Sequence, residues 1–271
     1  VHNVKIQNTF EQMVKGTSGA NGADNGIVQC SLFEYPEGVG PQFYIGGLDI
    51  HDGDNWIVRD NIFKHIASPS GSLAEHAIHF WNHSSNNIIE RNIIINCDRG
   101  IGFGLGNSPS DGGIIRNNMI YNDGSGLFDD VGIGLESSPS TLVYHNTIFI
   151  DYPNAIEYRF DATREVDIVN NLTNKQIKSR DGGQATLLSN ITHANQDWFE
   201  DISSGNLRLS SSIIEAIDAA TPLQEVNLDI DQTMRPMNQF PDIGAHEFPV
   251  TNNATEHEIN KSRLNIFPNP A

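Results

Sequence analysis

The side chains best suited to chemistry fall in six aligned four-residue runs. These are Leu48-Asp49-Ile50-His51, Ile78-His79-Phe80-Trp81, Ile101-Gly102-Phe103-Gly104, Ile133-Gly134-Leu135-Glu136, Ile156-Glu157-Tyr158-Arg159 and Ile177-Lys178-Ser179-Arg180. Their first and third positions are almost all apolar. In an extended strand those positions share one face, so the second and fourth positions share the other. The outward ladders are then Asp49/His79/Gly102/Gly134/Glu157/Lys178 and His51/Trp81/Gly104/Glu136/Arg159/Arg180. A plain solvated face would carry Thr, Ser, Asn and Lys. This one carries His, Trp, Glu and Arg around three glycines, and strand glycine often marks close approach by a ligand. The expectation is a groove with a bare floor at Gly102, Gly104 and Gly134, flanked by His51, His79 and Trp81 on one side. Glu136, Glu157, Arg159, Lys178 and Arg180 flank the other side.

Two chemistries fit these residues. β-Elimination next to a carboxylate needs a cation to neutralise that carboxylate and a base to take the proton. Arg159, Arg180 and Lys178 are candidate cations, and His79, His51 or Lys178 the candidate base, with Trp81 as a stacking platform for a sugar ring. Alternatively, Glu136 and Glu157 lie one rung and two residues apart, with Cα atoms about 8 Å apart. Carboxyl groups about 6.5–9.5 Å apart suit an inverting glycoside hydrolase. Against both stand structural roles: Glu136 and Arg159 are natural ladder ion-pair partners, as are Glu157 and Lys178.

Other clusters carry weaker signals. His76, His79 and His83 have a metal-ligand spacing, but strand alternation would send His76 and His79 to opposite faces. Asp98-Arg99 follows a strand and is expected to brace a turn. Asp123, Asp129 and Asp130 lie in a glycine-rich turn and are candidate calcium ligands through their carboxylate oxygens. Calcium is therefore a possible cofactor, and no other is implied.

The elements that must position these residues form a repeat. Asn or Ser followed by apolar residues recurs at 8, 31, 61, 92, 118, 146, 171 and 190, with gaps of 19 to 31 residues. Short β-branched runs such as Trp56-Ile57-Val58 and Leu142-Val143-Tyr144 lie between, and Gly, Asn, Asp, Ser and Pro punctuate them. Helical periodicity is nearly absent. Three short strands per coil, stacked about 4.8 Å apart, account for this pattern, with Asn at the bend forming a ladder. The expected class is all-β, a right-handed parallel β-helix over residues 1–202. The pattern resembles the pectin-lyase-like superfamily. That resemblance implies fold more than activity, because the fold hosts lyases, hydrolases, epimerases and adhesins.

The chain has 271 residues and a net charge of −18. A strongly acidic surface argues against nucleic acid and against anionic membranes as partners. No apolar run approaches the roughly 18 residues of a spanning helix. Two cysteines cannot staple a chain of this size. Residues 203–248, with Arg235-Pro236 and Pro241-Asp242-Ile243-Gly244, are similar to the closing segment of exported bacterial β-helix proteins of the choice-of-anchor kind. They are expected to cap the last coil, with structural Asp and Arg residues. Residues 249–271 read as a linker ending in Leu264-Asn265-Ile266-Phe267-Pro268-Asn269-Pro270-Ala271, which looks like the start of a type IX secretion sorting domain. Export to the cell surface or beyond follows from that likeness. The favoured expectation is a monomeric polysaccharide lyase acting on a uronate-containing, anionic glycan. An inverting hydrolase and a non-catalytic glycan-binding or adhesion module remain the alternatives.

Overall fold

The computed structural model describes residues 1–17, 23–210 and 213–249. Its main body is a parallel β-solenoid of three seven-stranded sheets. Sheet 1 runs from Ile27–Gln29 to Ala185–Leu188, sheet 2 from Lys5–Gln7 to Leu172–Thr173, and sheet 3 from Gln12–Gly16 to Gln176–Arg180. Each coil passes from sheet 1 through a tight corner to sheet 2, then through a longer loop to sheet 3. One face of every strand fills a continuous interior, where Val58, Phe63, Phe80, Ile94, Phe103, Ile120 and Ile148 are essentially inaccessible.

The corner between sheets 1 and 2 explains the Asn repeat. The residue before each ladder position is left-handed: Cys30, Asp60, Arg91, Asn117, His145, Asn170 and Ser189 have φ between 51° and 60°. This conformation turns the chain within two residues. The next side chain then bridges coils. Asn61, Asn92, Asn118, Asn146 and Asn171 each donate through Nδ2 to Oδ1 of the following ladder Asn at 2.9–3.0 Å, ending on Asn190. Each of those acceptor oxygens also takes the backbone N–H of the ladder residue one coil back. Buried polar groups are thus satisfied along the whole corner.

The first rung differs from expectation. Lys5 and Ile6 pair with Leu32 and Phe33, so Val4, not Asn8, stands opposite Ser31. Phe10, which imitates the apolar tail of the motif, is 70% exposed.

The closing segment also lies elsewhere than expected. Among the described residues it does not cover the end of the solenoid, where Leu187 and Leu188 stay about half exposed at 46% and 48%. It runs along the outer face of sheet 2 and buries Ile95, Met119, Tyr121 and Leu172 against Phe199, Leu207, Leu209, Ile230 and Ile243. The antiparallel pair Phe199–Asp201 and Asn206–Leu209 belongs to this second core, so the packed segment begins before residue 203. Its charged residues are structural, as the sequence suggested. Arg235, itself buried, bonds the Glu247 carboxylate, the carbonyls of Asp242 (3.0 Å) and Gly244 (2.8 Å), and Asn117 of the solenoid corner (3.3 Å). Residues 250–271, which include the sorting-domain-like octet, lie outside the described residues.

Candidate functional site: the outer face of sheet 3

The register of sheet 3 places the two outward ladders almost as the sequence orders them. Asp49 pairs with His79, His79 with Gly102, Gly102 with Gly134, Gly134 with Glu157 and Glu157 with Lys178. His51 pairs with Trp81, Glu136 with Arg159, and Arg159 with Arg180. Lys15, absent from the sequence-derived ladder, extends it opposite Asp49. The alternation of Val14-Lys15-Gly16 carried that signal.

The glycine floor is not bare. A Cβ on Gly102 would fall 2.6 Å from Nε2 of His76, whose ring fills the space above Gly102 and approaches Gly134. His76 reaches this face because the strand begins only at Ile78, so residues 75–77 do not obey strand alternation. The expected separation of His76 from His79 therefore fails, and their rings lie 4.5 Å apart. Gly104 lies past the strand end with φ of +74°, where any side chain would strike the Glu136 carbonyl. It is a packing glycine, and its own carbonyl accepts from His79 Nε2 at 3.1 Å.

Two charged clusters flank His76. In the first, Asp49 is a buried hub. It accepts from Trp81 Nε1 at 2.8 Å, holds Lys15 Nζ at 3.0 Å and lies 3.2 Å from His51 Nε2. His51 and Trp81 are part-exposed and meet edge to face. His79 is fully buried, stacked beside Trp81, with Nδ1 2.9 Å from Glu75 Oε2. That burial removes it from reach of a polysaccharide and corrects its expected role as base. Burial holds the His76 imidazole down to about 4, a neutral ring at ordinary pH. Glu75 was missed in the sequence because it precedes the strand. His83 is exposed and apart from this group.

In the second cluster, Arg159 binds Glu136 at 2.9 Å and Asp181 at 2.8 Å. Arg180 binds Glu157 at 2.7 Å, taking the partner expected for Lys178, which is exposed. Both carboxylates are fully engaged: Glu136 also accepts from Gly106 N at 2.7 Å, and Glu157 from Asn154 at 2.6 Å. An inverting hydrolase needs one of the two to carry a proton. Two guanidinium-clamped carboxylates are poor candidates for that role, which corrects the expectation for Glu136 and Glu157 as an acid–base pair.

The expected calcium ligands do not assemble. Asp130 pairs with Arg99 at 2.9 Å, Asp123 accepts from Asn96 and Ser125, and the oxygens of Asp123, Asp129 and Asp130 do not gather within 4.8 Å. Asp98 braces a turn as expected, its Oδ2 accepting from Ser68 N at 3.0 Å and Ala74 N at 2.7 Å. It also lines a cleft of about 360 Å³ with His65, Asn96, Asn122 and Leu127. Its Oδ1 is buried without a partner, and burial pushes its carboxyl up to about 6.

No family model matches this chain, and no curated protein matches it. Among solved structures it is similar to pectate lyase Pel9A, at 16% identity and a TM-score of 0.46, over 90% of this chain and 69% of that one.

Proposed function

We propose that this β-helix binds an anionic, uronate-containing polysaccharide across the outer face of sheet 3 and cleaves it by β-elimination. The observation that carries this reading is the grouping of Arg159, Lys178 and Arg180 on two adjacent strands of a chain with net charge −18. A guanidinium has five N–H donors in a fixed fork. Arg159 spends donors on Glu136 and Asp181, and Arg180 on Glu157, so each keeps N–H groups for a substrate carboxylate while its own carboxylates hold it in place. Neutralising the uronate acidifies the neighbouring C–H. Lys178, one rung from Glu157 on the same face, is the base that takes that proton. The electron pair left on carbon forms the double bond as the glycosidic oxygen departs. Trp81, part-exposed on the same face, supplies a stacking surface towards the other end of the chain.

A non-catalytic glycan-binding role is the second reading. It is favoured by the carboxylate partners that both arginines already hold. Incubation with acidic and neutral polysaccharides separates the two. New reducing ends together with ultraviolet absorbance of an unsaturated uronate support the lyase. Lys178→Ala is expected to abolish that absorbance while leaving binding intact. Binding without new ends would leave only the second reading. New ends without absorbance would defeat both.

A further inference from the structure

We propose that Glu75, His76 and His79 form a binding site for a first-row divalent metal ion, zinc foremost. Their donor atoms all lie within 4.8 Å of one another. Glu75 Oε2 is 2.9 Å from His79 Nδ1 and 3.7 Å from His76 Nδ1. Two donors at zinc-ligand distance in a tetrahedral shell stand about 3.3–3.4 Å apart, which these two separations bracket.

The hydrogen bonding points the same way. His79 Nε2 faces the Gly104 carbonyl at 3.1 Å, and a carbonyl can only accept. The proton of a neutral His79 is therefore on Nε2, and Nδ1 presents a lone pair. That lone pair aims at a carboxylate oxygen, an arrangement that repels unless a metal ion or a second ring proton sits between them. Fixing one imidazole nitrogen by a backbone carbonyl so that the other can ligate is the usual support of a metal-bound histidine. Glu75 Oε2, His76 Nδ1 and His79 Nδ1 are all buried and all without a hydrogen-bond partner. Three orphaned donors converging on one point is costly without an ion.

The surroundings are shaped for it. Gly102 leaves room for the His76 ring where any Cβ would collide with it. Arg99 NH1 stands 3.7 Å from the other Glu75 oxygen and orients that carboxylate. Two imidazoles and one carboxylate suit zinc and its first-row neighbours better than calcium or magnesium, which favour oxygen shells. Three protein ligands leave a fourth position for water or a substrate oxygen. The site stands independently of the lyase reading, since Lys178 and the arginines lie beyond His76 on later strands.

The alternative is a doubly protonated His79 in an ion pair with Glu75, which would leave no room for a metal. The test is titration of the chelator-treated full chain with zinc chloride and with cobalt chloride. Saturation at one equivalent is expected, with the visible spectrum of four-coordinate cobalt. X-ray absorption of the zinc-loaded wild-type chain should show two imidazole ligands. Glu75→Gln and His76→Gln should each weaken zinc binding more than about tenfold, the loss that even an outer-sphere change brings. Lack of saturable binding overturns the proposal. So does unchanged affinity in both variants, which would place the ion on other histidines. If either variant fails to fold, the wild-type absorption spectrum decides, and a shell without two imidazoles defeats the site.

Discussion

Sheets 2 and 3 share one coil, one rise and one interior, yet their outer faces have opposite fates. Outward positions on the later strands of sheet 2 are mostly apolar, with Ile95, Met119, Tyr121 and Leu172 buried under the closing segment, while its first strands still carry Lys5, Glu34 and Lys64. Outward positions of sheet 3 are His, Glu, Arg and Lys, and no second layer of this kind covers them among the described residues. The backbone dictates neither outcome. A parallel strand buried on both faces must be apolar at every position, and one that meets solvent need not be. The solenoid is thus anchored on one flank and free to carry ions on another.

The sharpest way to break this contrast is at the anchor. Arg235→Ala strips Glu247 of its buried partner and unties Asn117 from the closing segment. Removing one partner of a buried pair costs about 3–5 kcal/mol. Urea denaturation should show that loss, and a change below about 1 kcal/mol would mean that the segment is held by apolar packing alone.

A second test concerns Asp98, in the loop region that joins the two sheets. Its folded carboxyl is raised to about 6, against about 3.9 in an unfolded chain. Its contribution to stability is therefore fully present below about pH 4 and lost as pH rises through about 6. Asp98→Asn keeps an acceptor for Ser68 N and Ala74 N and removes the titration. The difference in Tm between variant and wild type should grow in the variant's favour from pH 4 to pH 7. A flat difference would show that Asp98 keeps an ordinary affinity for protons.

The smallest stability effect belongs to the open face. Arg159→Ala removes a partly exposed ion-pair network, and such pairs contribute about 1 kcal/mol or less. Under the proposed lyase reading, the same substitution should abolish glycan cleavage. A large loss of Tm with activity retained would recast Arg159 as structural and turn the contrast between the faces around.

Much of this was legible in the residues. The alternation Ile-Glu-Tyr-Arg sorts inner from outer positions, and aligning the apolar first and third positions of successive runs sets the register that puts Glu136 opposite Arg159. Coverage of sheet 2 had a signal too: Ile93-Ile94-Ile95 and Met119-Ile120-Tyr121 are apolar throughout, as doubly buried strands should be. Asn8 misled because a lone Asn-Thr-Phe satisfies the motif locally, whereas strand pairing is settled by the neighbouring coil. Glu75, and the face on which His76 comes to rest, were beyond sequence reasoning for a different reason. Both residues lie in a loop, and no period relates a loop residue to the face on which its side chain comes to rest.

The Asn corner has a consequence for descent. Each amide inside the row meets an identical amide one coil on, from Asn61 to Asn190, so the natural unit of change is one entire coil. A gene segment that duplicates a full turn regenerates every bond at the new junctions, while a partial copy leaves a buried amide with nothing to meet. The loops at the other corners carry no such obligation. Lineages of this chain can lengthen by whole turns and acquire new chemistry at the loops, with the Asn spine passing through both changes unaltered.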